Sequence, residues 1–104
     1  MTKCVVCLTA VAKPRDAHRI AETLVKERLA ACVNVVPGAV SFYRWKNKLR
    51  RDHEVLMIMK TAASKTAALE KRLRKLHPYE LPEFVVLPIR GGFRNYLRWI
   101  AQSL

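Results

Sequence analysis

The sequence predicts an α+β fold with the order β-α-β-β-α-β-α, and three observations predict it. Two stretches repeat apolar residues at spacings of three and four, the period of an amphipathic helix, and each lies between β-rich runs. A long apolar run rich in β-branched residues, from Ala31 to Trp45, is joined to a second, Lys48 to Thr61, by only Lys46-Asn47. Finally, 104 residues of which 51% are apolar are enough for one domain, 1–104, with a real core, and too apolar for disorder.

Taken in order, Lys3 to Ala12 reads as the first strand, with Val5, Val6, Leu8 and Val11 apolar. Cys4 and Cys7, three apart on it, point to opposite faces. Pro14 opens a turn, Asp16 is placed to cap a helix, and Ala17, Ile20, Ala21, Leu24, Val25 and Leu29 form its apolar face. Pro37-Gly38 interrupts the second strand. Proline lacks the ladder N–H and glycine tolerates unusual backbone angles, so a bulge is expected there. The third strand is polar from Lys48 to Glu54 and continuously apolar over Val55–Met59, so its outer half is expected in water or against another chain. Ser64 is placed to cap a second helix with Leu69, Leu73 and Leu76 as its buried row, ended by Pro78. Phe84 to Ile89 reads as a short buried strand, with Pro88 arguing for an edge or bulge. Gly91-Gly92 turns into a last helix carrying Tyr96, Leu97, Ile100 and Leu104. Two interleaved βαβ units in this order give a ferredoxin-like βαββαβ sandwich, helices on one face, with an extra C-terminal helix.

The hairpin made by the second and third strands is the anomaly. Each strand runs about fourteen residues, roughly 46 Å at 3.3 Å per residue, whereas a domain of this size is only about 33 Å across. The hairpin therefore protrudes, carrying Phe42, Tyr43 and Trp45 with it. Pairing with a neighbouring copy would cover both rings and open strand edges, and heterologous contacts of that kind close into a ring. The expectation is an oligomer with sites between subunits; the alternative is a hairpin folded back on its own sheet at Pro37-Gly38.

The formal charge of +12 favours anionic partners and solubility. Its cations group at the hairpin tip (Arg44, Lys46, Lys48, Arg50, Arg51), on the second helix (Lys71, Arg72, Arg74, Lys75) and near the C-terminus (Arg90, Arg94, Arg98). Three cysteines, with no second CxxC, read as reduced thiols acting as small apolar residues. No run reaches the length of a membrane span and the N-terminus lacks a signal-peptide layout, so a cytoplasmic protein with no membrane partner is expected.

Several motifs together resemble the CutA family, the divalent-cation tolerance proteins: Leu29-Ala30-Ala31-Cys32-Val33-Asn34, Pro37-Gly38, Tyr43-Arg44-Trp45, Glu54-Val55 through Lys60-Thr61, His77-Pro78-Tyr79-Glu80-Leu81-Pro82-Glu83, and Tyr96-Leu97 with Trp99-Ile100. The resemblance covers nearly the whole chain. It implies a ferredoxin-like subunit in a tight homotrimer and a role in tolerance to copper and other divalent metals. The chain departs from the family pattern at the tip, Trp45-Lys46-Asn47-Lys48, where an acid and a glycine are usual, and at Asn95, where an Asp is usual. Where some members carry a further Cys and a further His, this chain has Thr9 and Leu76.

The residues themselves offer a metal site and a pocket. Copper and zinc take thiolate, imidazole and carboxylate donors. His77, Glu80 and Glu83 fall within seven residues of a Pro-bracketed turn, and Cys32 on a core strand could approach through the fold or from a neighbour. His77, Glu83 and Cys32 are thus the metal candidates, set against His77 bonding a backbone carbonyl and Glu83 pairing with a Lys or Arg. Lys60, Tyr79, Glu80 and the Trp45 of a neighbour are the candidates for a pocket between subunits, set against Lys60 in a salt bridge to Glu80 or Glu83 and Tyr79 as a core ring. No GxGxxG, P-loop, HExxH or GxSxG motif is present, so a non-enzymatic protein is expected. The rival class is a basic nucleic-acid- or anion-binding module, with cations and rings interleaved at the hairpin tip.

Overall fold

A computed structural model describes residues 3–104. They form β1 (Cys4–Val11), α1 (Pro14–Lys26), β2 (Cys32–Trp45), β3 (Lys48–Ala62), α2 (Thr66–Leu76), β4 (Val85–Pro88) and α3 (Arg94–Gln102), with a 3-10 turn, Ala63–Lys65, leading into α2. The sheet has the ferredoxin-like order β2-β3-β1-β4 with antiparallel neighbours throughout.

Strand alternation divides the sheet into two faces. Val5, Cys7, Val11, Val55, Met57 and Met59 point to the face covered by α1 and α2, where Ile20, Leu24, Leu69 and Leu73 are fully buried against them. Cys4 points the other way, into a smaller cluster with Ala31 and Ile100, so the two early cysteines do lie on opposite faces. The two helices of the βαββαβ sandwich share one face, and the extra C-terminal helix, α3, takes the other. After β4 the chain crosses beneath the sheet and lays Leu97, Ile100 and Leu104 beside Cys4, whose Sγ–H donates to the Leu97 carbonyl over 3.5 Å.

Helix starts also differ from expectation. The N-cap of α1 is Lys13, and Asp16 stands in the first turn, 3.6 Å from Arg19, where a carboxylate suits the helix dipole. Leu29 lies past the helix end, beyond a left-handed Arg28 with φ 59°, yet still packs on the core. Ser64 sits inside the 3-10 turn and caps nothing; the Thr66 hydroxyl donates to the Ala63 carbonyl instead.

The hairpin follows its sequence. Lys46 and Asn47 both take positive φ, 50° and 63°, as a two-residue type I′ turn requires. The β2–β3 register shifts between Val36 and Ala39, where Gly38 has φ 88°. The principal extents of 45 × 25 × 23 Å put the long axis near the expected strand length. Phe42 is 64% exposed and Leu49 75% exposed on the arm. β4 corrects one expectation: it is an edge strand, but all four of its residues are exposed rather than buried.

Candidate functional site

The Pro-bracketed loop is anchored by His77. β4 pairs with β1 only from Val5 to Leu8, which leaves the last residues of β1 without a neighbour on that side. The His77 ring fills the gap: Nε2 lies 2.8 Å from the Ala10 carbonyl, and the Tyr79 N–H donates to Nδ1 over 3.2 Å. A ring that accepts at Nδ1 must carry its proton on Nε2, so the tautomer is fixed and both nitrogens are engaged. His77 is buried, and that burial lowers its pKa below the ordinary imidazole value.

From His77 the loop turns towards the uncovered face of the sheet. The Tyr79 hydroxyl donates to Glu54 on β3 over 2.7 Å, and its ring stands edge-on to His77 with centroids 4.7 Å apart. Two residues along β3, on the same face as Glu54, Asp52 accepts from the Tyr43 hydroxyl. Burial and the Glu54 carboxylate hold the Tyr79 hydroxyl well above the usual tyrosine range. Glu83 is on the surface, yet crowding that thins its water shell, and the nearby Glu54, push its carboxyl upwards. Four of the eight acids in a strongly basic chain, Asp52, Glu54, Glu80 and Glu83, lie on this corner and its loop. The sequence reading missed the Glu54–Tyr79 bond. Its signal was the pair of acids alternating with His53 on the polar half of β3.

The other candidates lie apart. Lys60 and Cys32 are register partners on β3 and β2, opposite Val6 and four residues along β1 from Ala10, roughly 13 Å away. Lys60 donates to Asn34 Oδ1 over 3.0 Å, and its ammonium is 5.8 Å from the Tyr96 ring centroid, so it takes Asn34 and not the Glu80 or Glu83 partner weighed for it. The Cys32 Sγ–H donates to the same Asn34 oxygen over 3.7 Å. Trp45 is at the hairpin tip with the Lys46 ammonium 6.0 Å from its ring centroid. Glu80 faces Lys71, Arg74 and Lys75 of α2 across a cavity of about 350 Å³. Burial pushes the Cys7 thiol up to about 11, which disfavours the thiolate a metal needs. Among the described residues, no group of three or more His, Cys, Asp or Glu side chains comes together to hold a metal ion.

The sheet face opposite α1 and α2 is largely uncovered. Register puts Val6, Leu8, Leu56, Ile58, Val85 and Leu87 on it side by side, none of them buried. α3 covers only its Cys4 end.

A four-stranded antiparallel sheet of this order, two helices on one face, a third helix over one end of the other and a projecting β-arm define a ferredoxin-like α+β protein. The family model for the CutA1 divalent ion tolerance protein matches residues 5–103, and the chain belongs to that family. It is 46% identical over 98 residues to the divalent-cation tolerance protein CutA of Thermus thermophilus, covering 94% of this chain and 95% of that one. The solved Thermus thermophilus structure superposes with a TM-score of 0.93 at 45% identity, covering 99% and 98% of the two chains. CutA1 from Oryza sativa gives a TM-score of 0.94 at 40% identity over 97% of this chain and 93% of that one. The Archaeoglobus fulgidus protein, described as a periplasmic divalent cation tolerance protein CutA, gives 0.90 at 32% identity over 99% and 98%. Among the described residues no helix is long and apolar enough to cross a membrane.

Proposed function

We propose that three copies of this chain form a homotrimer that serves divalent-cation tolerance without catalysing a reaction. It would hold a divalent metal ion, copper among them, or a small ligand where subunits meet. One observation carries the reading: the apolar sheet face that α3 leaves open, from Val6 to Leu87. Apolar area of that kind gains roughly 25 cal/mol per Å² on leaving water. The open β4 edge and the arm bearing Phe42 and Leu49 give the same assembly its strand contacts.

In this reading Glu83 leads the metal donors, because its raised pKa marks a carboxylate that a cation would relieve. His77 offers Nδ1 only by releasing the Tyr79 amide, and Cys32 joins only when another copy supplies it. Tyr79 and Glu80 border the loop, a neighbour's Trp45 closes over it, and Lys60 beside Tyr96 takes the anionic end of a small ligand. The compartment we propose is the cytoplasm, where the three free cysteines stay reduced.

Titration of Cu(II) against the wild type, Glu83→Gln and His77→Ala tests the metal reading. The expected result is a loss of ~10-fold or more in affinity for Glu83→Gln. Equal, weak binding by all three proteins would remove the loop as a metal site.

A second reading, binding of nucleic acid or another polyanion, has its own observation. Cations already sit over rings on the arm, Lys46 by Trp45 at 6.0 Å and Arg51 by Phe42 at 5.9 Å. Such binding would be sequence-blind and fall steeply with salt. No shift of a labelled oligonucleotide at low salt would dispose of it.

A further inference from the structure

We propose that Arg90, Arg94 and Arg98 form a binding site for a small organic phosphate, separate from the acidic corner. The three guanidinium groups come from two elements. Arg94 and Arg98 are four apart on α3 and share a helix face, and Arg90 reaches the same cleft from the segment after β4. The cleft has a volume of about 680 Å³, within the range of small-molecule sites.

Among the described residues the ion pairs are Arg19–Asp16, Arg72–Glu27 and Arg74–Glu70, and none includes the three. Like charges four apart on a helix are mildly unfavourable, and an anion between Arg94 and Arg98 would relieve them. The adjoining glycines have no internal explanation. Neither has positive φ, a Cβ at Gly91 would meet nothing within 4 Å, and one at Gly92 would make only ordinary contact with Leu97 at 3.7 Å. What they leave is bare backbone along the cleft, which a ligand can approach closely.

The lining selects the ligand class. Guanidinium forks match phosphate oxygens in pairs. Ile89, Leu97 and Ala101 supply an apolar wall, so a phosphate carried on an apolar body satisfies both parts of the cleft. A divalent cation would be repelled. The position is also distinct from the loop around His77: the Ile89 N–H donates to the Cys4 carbonyl at the start of β1, whereas His77 caps its far end.

Calorimetric titration of the intact protein with 1-naphthyl phosphate and with inorganic phosphate tests the proposal. Salt is held near 0.15 M so that the general positive field is screened. Saturable binding is expected, tighter for the naphthyl ester. Arg94→Gln with Arg98→Gln should weaken it by ~10-fold or more, as should Arg90→Gln alone. Arg15→Gln with Lys26→Gln, which removes the same charge from the exposed surface of α1, should leave affinity unchanged. Absence of saturable binding, equal weakening by the α1 variant, or inorganic phosphate binding as tightly as the ester would each overturn the assignment.

Discussion

The imidazole of His77 donates to the Ala10 carbonyl over 2.8 Å and so takes the place of a strand where β4 stops short. One side chain closes the β1 edge and, through Nδ1 and the Tyr79 amide, fixes the course of the loop that carries Glu83. The loop's order therefore starts from a buried backbone acceptor.

Removing that side chain should be felt through the whole fold. His77→Ala leaves the Ala10 carbonyl without its partner and opens a space in a buried site. A loss of about 1–3 kcal/mol is expected by urea denaturation. A variant as stable as the wild type would show that the bond contributes nothing.

The same group predicts a pH dependence. Burial lowers the folded-state pKa of His77, while in the unfolded chain it returns to the ordinary imidazole value near 6.5. Below that pH the unfolded state takes up a proton that the folded state resists. The stabilisation is thus complete above about pH 6.5 and is lost as pH falls through the folded value. Glu83 acts in the opposite sense, since its raised pKa makes ionisation unfavourable in the fold. The difference between wild type and His77→Gln, measured from pH 7.5 to 5.5, isolates the histidine and should shrink as the solution is acidified. A constant difference would refute the assignment.

At the hairpin tip Asn47 holds φ at 63°. A left-handed conformation costs roughly 1–2 kcal/mol for most L-residues and nothing for glycine. Asn47→Gly should therefore raise thermal stability slightly, and Asn47→Val should lower it by about 1–2 kcal/mol. The reverse order would mean that the turn changes type when substituted.

Thr9 is fully buried and its hydroxyl has no hydrogen-bond partner among the described residues. Valine has nearly the same shape without the unsatisfied oxygen. Thr9→Val should stabilise the protein by about 1 kcal/mol in denaturant titration. A loss of stability would reveal a partner for the hydroxyl.

Local signals in the sequence were enough for the features that obey local rules. Lys46-Asn47 marked the turn, Pro37-Gly38 the bulge, and the spacing of Cys4 and Cys7 their opposite faces. The excess length of β2 and β3 showed itself as an elongated molecule. Long-range choices were not legible. The apolar stripe of α3 says that one side of the helix is buried, but not which face of the sheet buries it. An apolar strand such as β4 looks buried whether its own chain covers it or not. Lys60 chose Asn34 over an acid because β2 and β3 bring those two together, and no spacing in the sequence encodes that pairing. The sequence offers His77 both as a ligand and as a backbone partner, and the Ala10 carbonyl beside its ring is what makes it the second.

The central claim is that the open sheet face is a surface shared between copies. Light scattering of the purified protein at micromolar concentration, alongside Leu8→Asp with Ile58→Asp, addresses it most directly. The wild type should have three times the chain mass of 12.0 kDa, and the double variant should fall towards a single chain. A wild-type mass of 12.0 kDa would contradict the account.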